Sequence, residues 1–207
     1  MLARWGADLA PEVMEHYDYR QPRFNGSIQA AFVQADSDFV VGCPSLRLSR
    51  MASAVHGAQV YSYQLSHYKR GIDVAGELAM IDEKDSIGWA SHGADIPFVF
   101  GQHTGPDLYW NTKINVPFTP EEEDLSAAMR NYWTAFSATG MPAAHGWPVW
   151  PSFNASSTRT INFETRALGG TGVLHALKEK DCAFWDRVSE RVPRVSTGGA
   201  GWYGRRR

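Results

Sequence analysis

Apolar residues recur at helical spacing along much of the chain and alternate in two short stretches. From Thr119 onward, Leu125, Met129, Tyr132, Trp133 and Phe136 fall at i, i+4, i+7, i+8 and i+11, the single apolar face of an amphipathic helix. Thr119 as N-cap, Pro120 at the first helical position and Glu122 three residues after Thr119 form a capping box, and Gly140 supplies the stop. Ile28, Ala31, Phe32 and Ala35 share one face of a helix that follows Ser27. Pro44 suits the first turn of another, which places Cys43 at the junction of the two. A short helix fits residues 7–16, a turn fits Phe24-Asn25-Gly26, and a last helix over 177–191 carries Cys182 and Trp185. Residues 59–65, Gln-Val-Tyr-Ser-Tyr-Gln-Leu, alternate cleanly and are rich in strand formers, and residues 158–163 read as a shorter strand. Between these elements, residues 71–88 read as an acidic loop and residues 89–101 as a compact aromatic turn around His92. Pro142, Trp147-Pro148 and Trp150-Pro151 mark a further loop, and the Gly-rich, triple-Arg end at 196–207 reads as a mobile tail.

Composition narrows the function classes. With 43% hydrophobic and 13% aromatic residues among 207, the chain has the means to fold. Its net charge of −2, from 20 basic against 22 acidic residues, offers no positive field for a phosphate backbone, so no nucleic-acid partner is expected. No apolar run approaches the ~20 residues of a membrane span, and residues 1–25 lack the order of a signal peptide. Seven histidines contain no HExxH or other close pair, so no metal site is expected, and no cofactor is implied. Gly169-Gly170-Thr171-Gly172 and Gly198-Gly199-Ala200-Gly201 match neither a phosphate loop nor a dinucleotide fingerprint and read as plain loops. No GxSxG elbow and no glycine-rich oxyanion loop occur, which leaves the residues catalytically incomplete. Cys43 and Cys182 stand outside any CxxC pattern, and the residues alone leave two lone thiols and one long-range disulfide both open.

One block changes this picture. Ser91-His92-Gly93-Ala94-Asp95-Ile96-Pro97-Phe98-Val99-Phe100-Gly101 resembles the segment around the catalytic histidine of type-B carboxylesterases, the family that includes the cholinesterases. Its flanks agree in order. Asp38-Phe39, Cys43-Pro44 and Val60-Tyr61-Ser62-Tyr63 come before it. Tyr132-Trp133-Thr134-Ala135-Phe136, Thr139-Gly140, Trp147-Pro148 and Cys182-Ala183-Phe184-Trp185 come after, so the resemblance covers about residues 30–190. It departs at the looser Phe39–Cys43 spacing, at Gly140-Met141-Pro142-Ala143 where the family has a Gly-Asp-Pro-Asn turn, and after Pro193.

The resemblance implies an α/β fold class: the C-terminal part of an α/β-hydrolase, incomplete as a domain. Residues 59–65 would be the last large strand of the central sheet with helices flanking it, residues 1–195 the esterase portion and 196–207 a tail. His92 would be the general base of a serine esterase acting on small carboxylic esters. In this fold the triad runs serine, acid, histidine along the chain, so the other two members would precede His92. Asp73, Asp82, Glu83 and Asp85 follow the strand on its own loop, whereas the acid belongs to the loop of the strand before; they read as solvated charge. The isolated chain is therefore expected to be inactive. Cys43 and Cys182 align with a family disulfide. The sequons at Asn25 and Asn154 fit an oxidising compartment and a full-length protein that is secreted. The alternatives are a non-catalytic cholinesterase-like interaction module and an inactive truncated product.

Overall fold

A computed structural model describes residues 2–67, 90, 93–101, 104–106, 113–115 and 117–191, with backbone alone at 2–4, 104–106 and 113–115. His92, the acidic loop with Asp73, Asp82, Glu83 and Asp85, and the tail at 196–207 lie outside the described residues.

The elements run α1 (Leu2–His16), a 3-10 turn (Pro22–Phe24), α2 (Ile28–Ser37), a π-helical turn (Asp38–Gly42), α3 (Cys43–Ser53) and β1 (Tyr63–Leu65). They continue with α4 (Ile96–Phe100), β2 (Thr104–Pro106), β3 (Lys113–Asn115), α5 (Pro120–Thr139), β4 (Thr160–Phe163), a 3-10 turn (Arg166–Leu168), β5 (Gly172–Leu174) and α6 (Glu179–Arg191). The chain divides into two compact units, one of residues 1–44 with 178–207 and one of residues 45–177.

In the first unit Ser27 caps α2, its hydroxyl accepting from the Ala30 N–H at 3.1 Å. The expected junction of two helices falls at Cys43. The π-helical turn carries α2 directly into α3, and Cys43 opens α3. Ala10, Val13, Tyr17, Ala31, Ala35, Trp185 and Val188 are buried. Inside that core Asp38 is 0% exposed. It accepts from Tyr17 Oη at 3.1 Å, Gln34 Nε2 at 2.9 Å and Lys178 Nζ, so a carboxylate that would be costly alone is paired and hydrogen-bonded.

The second unit is a mixed sheet with a long helix laid on it. β1 pairs in parallel with β4, Tyr63 opposite Ile161 and Leu65 opposite Phe163, and β5 pairs antiparallel on the far side of β4. β2 and β3 form a separate antiparallel pair. The strand expected over 59–65 is regular only at 63–65. Its earlier part is extended and bonded, the carbonyls of Val60 and Ser62 accepting from Phe153 and Ile161. The glycine-rich stretch at 169–172 is not wholly a loop, because Gly172 opens β5.

α5 begins with the expected capping box and ends at Gly140, whose φ of +76° suits a residue without Cβ. Leu125, Met129 and Tyr132 join Phe98, Phe118, Trp150, Ile161 and Phe163 in one core. Phe136, expected on the same buried face, is instead 45% exposed. Its ring meets Tyr61, in the extended stretch before β1, edge to face at 5.7 Å.

Candidate active site

The segment that follows His92 in sequence is held on two sides. Gly93 has φ +83°, and its carbonyl accepts from the Ile96 N–H at 3.1 Å, which folds the chain into α4. Asp95 stands at the N-cap of α4 yet makes no side-chain capping bond there. Its Oδ2 instead accepts from the Tyr63 hydroxyl of β1 at 2.7 Å. At the other end of α4, the Phe98 carbonyl accepts from Ser126 Oγ of α5 at 2.8 Å, and the buried Phe98 ring stacks on Phe118 at 4.7 Å. Gly101 ends the helix at φ +63°, where any L side chain is strained, and a Cβ there would lie 3.1 Å from the Arg130 guanidinium, which would have to shift.

Tyr63 itself is fixed by its ring. Trp133, Trp150 and Phe163 stand at 5.0, 5.8 and 6.0 Å from it, within the range of favourable aromatic pairs. Tyr63 is 40% exposed, so only partial burial, then the hydrogen bond and charge of Asp95, push the phenol above its ordinary value. It therefore stays protonated and donating across neutral pH. Tyr132 is likewise pushed up to about 12 by burial, its hydroxyl donating to the Pro148 carbonyl.

Two residues beyond β1, His67 sits in a pocket of carboxylates that sequence reasoning did not anticipate. Its Nδ1 lies 2.7 Å from Glu164 Oε1 and its Nε2 3.0 Å from Glu122 Oε1. His67, Glu122 and Glu164 are 5, 6 and 8% exposed, and Phe98 meets the imidazole edge to face at 5.5 Å. Both carboxylates have further partners. Glu122 Oε2 accepts from the Thr119 N–H at 2.8 Å, closing the capping box, and Glu164 Oε1 accepts from the N–H and hydroxyl of Thr165. With both ring nitrogens engaged and the ring buried, this histidine ties β1, α5 and the end of β4 together; no nitrogen faces outward to take a proton from a substrate.

Cys43 and Cys182 form a disulfide, Cα atoms 5.1 Å apart, which joins the start of α3 to α6. Beside it, burial raises the Asp181 carboxyl, but hydrogen bonds and charge from Arg23 and His16, each at 2.8 Å, outweigh burial and hold it below the usual carboxylate range. For Asp38 burial wins over Lys178 and the carboxyl is raised.

Both sequon asparagines are exposed. Asn154 Oδ1 accepts from the Ser156 N–H, the Ser156 hydroxyl and the Ser157 N–H at 3.1, 2.7 and 2.8 Å, an Asx turn. Asn25 adopts φ +48° at the end of the first 3-10 turn. Among the described residues no group of three His, Cys, Asp or Glu could hold a metal ion, and no helix is long and apolar enough to cross a membrane.

Comparison with known proteins places this architecture. Residues 1–185 match the model of the carboxylesterase family. Among curated proteins, the chain is 29% identical to pyrethroid hydrolase Ces2a of Mus musculus over 162 residues, 78% of this chain and 25% of that protein. It is 32% identical to human cocaine esterase over 165 residues, again 78% of this chain and 25% of that protein. It is 26% identical to the acetylcholinesterase of Bungarus fasciatus over 189 residues, 89% of this chain and 28% of that protein. The chain thus spans about a quarter of the length of these relatives. With residues 1–185 matched and a parallel strand pair covered by α5 in place, the chain belongs to the carboxylesterase family, whose fold is the α/β-hydrolase.

Proposed function

We propose that these 207 residues are the C-terminal portion of a serine carboxylesterase, that His92 is its general base, and that sequence outside this chain contributes the nucleophilic serine and the acid. The observation that carries this reading is the Ser91–Gly101 block, found in order between the strand and helix motifs of a chain matched to the family over residues 1–185. In the reaction His92 takes the proton of the serine hydroxyl as its oxygen bonds to the ester carbonyl carbon, then gives that proton to the leaving alcohol. A water molecule repeats the sequence on the acyl-enzyme: His92 takes its proton, the acid is released, and the serine regains its hydrogen. Every step is carried by side chains and backbone amides, with no cofactor. Hydrolase and esterase are what the relatives' names share, so ester hydrolysis carries over without a particular ester.

The disulfide and the two exposed sequons support an oxidising, secretory setting, with glycans at Asn25 and Asn154. The test is twofold. An antibody against this region is expected to detect a natural product well above 23.0 kDa. In that product His92→Ala is expected to abolish hydrolysis of small carboxylic esters while the melting temperature is kept; retained turnover, or a natural product of 23.0 kDa that hydrolyses no ester, overturns the reading.

A further inference from the structure

We propose that Tyr63 is a positioning residue for His92, acting through Asp95; the proposal rests on His92 being the general base and names what holds the turn that follows it. A general base must come within ~2.6–3.2 Å of the hydroxyl it deprotonates, and a displacement of ~1 Å costs on the order of 100-fold in rate. His92 is followed by Gly93 at φ +83°, a residue that by itself fixes the backbone least. Something outside the turn must therefore hold it.

Asp95 shows what does. At a helix N-cap an aspartate ordinarily accepts from the N–H groups of the first turn, which stabilises the helix by ~1 kcal/mol. Asp95, whose own backbone is already helical at φ −74° and ψ −26°, makes no such bond, and its Oδ2 is left to accept from the Tyr63 hydroxyl at 2.7 Å. The donor is well defined, since Trp133, Trp150 and Phe163 hold the Tyr63 ring and the hydroxyl stays protonated. Ser126 binds the Phe98 carbonyl at the other end of α4, so α4 is anchored twice, to β1 at its start and to α5 at its end. The Tyr63–Asp95 bond thereby joins the strand that precedes His92 in sequence to the turn that follows it. Ser126 holds α4 at Phe98; Tyr63 holds Asp95 at its start.

The experiment uses the natural esterase and a p-nitrophenyl ester. Tyr63→Phe keeps the ring and its packing and removes only the donor. It is expected to lower kcat roughly 10- to 100-fold, with KM within about twofold and the melting temperature unchanged. Asp95→Ala is expected to match it, the Tyr63→Phe/Asp95→Ala double variant to be no worse than either single variant, and Asp95→Asn, which keeps an acceptor oxygen, to recover most of the rate. A Tyr63→Phe enzyme with wild-type kcat, or losses that multiply in the double variant, overturns the proposal. His92→Gln separates it from the reading beneath it. If His92→Gln is dead and Tyr63→Phe is normal, only the positioning role fails. If His92→Gln still turns over, or the wild-type protein hydrolyses no ester, both fail.

Discussion

Removing one member of a buried hydrogen-bonded cluster leaves the others desolvated and without their partner, a larger penalty than the intact cluster's own net stabilisation. His67 is such a member, its two ring nitrogens lying within 3.0 Å of Glu122 and Glu164. We expect His67→Ala to cost about 1–3 kcal/mol for each carboxylate it leaves unsatisfied, read as a fall in the urea midpoint of the natural polypeptide near pH 7. His67→Gln, which can donate to one carboxylate, should fall between the two; an alanine variant with the wild-type midpoint would show that water or relaxation satisfies the carboxylates instead. The same residue shows what sequence reading could not reach. Nothing local marks His67, whose partners are 55 and 97 positions away, and Glu122 reads only as the glutamate of a capping box until the fold brings its other oxygen to His67. Asp95 is similar: its block resembles a family motif, but its partner Tyr63 is 32 positions upstream.

Elements written in contiguous residues were legible, and α5 is the clearest case, because its start and stop are both chemical and local. The Thr119 hydroxyl accepts from the Glu122 N–H while Glu122 accepts from the Thr119 N–H. Thr119→Ala is therefore expected to cost about 0.5–2 kcal/mol, with Thr119→Ser restoring most of it, measured as shifts in the urea midpoint of the natural polypeptide. A neutral alanine substitution would mean that the Glu122–His67 contact alone fixes the first turn. The elements that escaped notice lack such signals. β5 is three residues, begins with glycine and exists because Gly172, Val173 and Leu174 meet Asn162, Ile161 and Thr160 of β4. β2 and β3 are as short and, among the described residues, pair with each other. Pairing of this kind depends on neighbours in space, which strand propensity does not encode. The π-helical turn escaped for a related reason, since Asp38 is buried with Tyr17 and Lys178 as partners from distant parts of the chain. The disulfide belongs between these cases: two isolated cysteines left the pairing open, the family resemblance implied it, and the fold brings the two together.

At the scale of the whole molecule, the sheet poses a question of neighbours. Among the described residues β1 pairs on one side, with β4. A parallel pair belongs to sheets whose two faces are covered, and an unpaired edge is a template for association. Tyr61 and Leu65 face the α5 core, whereas Leu48 and Met51 of α3 and nearby Val55 are each more than 60% exposed. At ~25 cal/mol per Å², a few hundred Å² of apolar surface left in water forfeits several kcal/mol, a large part of the ~5–15 kcal/mol that holds an ordinary domain together. The 207 residues expressed alone are therefore expected to hydrolyse no ester and to be aggregation-prone or partly molten. Size-exclusion chromatography with a thermal melt and dye binding would read this as large species, a broad transition and an enhanced hydrophobic-dye signal. A soluble monomer with a sharp cooperative melt would mean that α1, α2 and α6 with the disulfide, and α5 on its sheet, suffice as self-supporting cores.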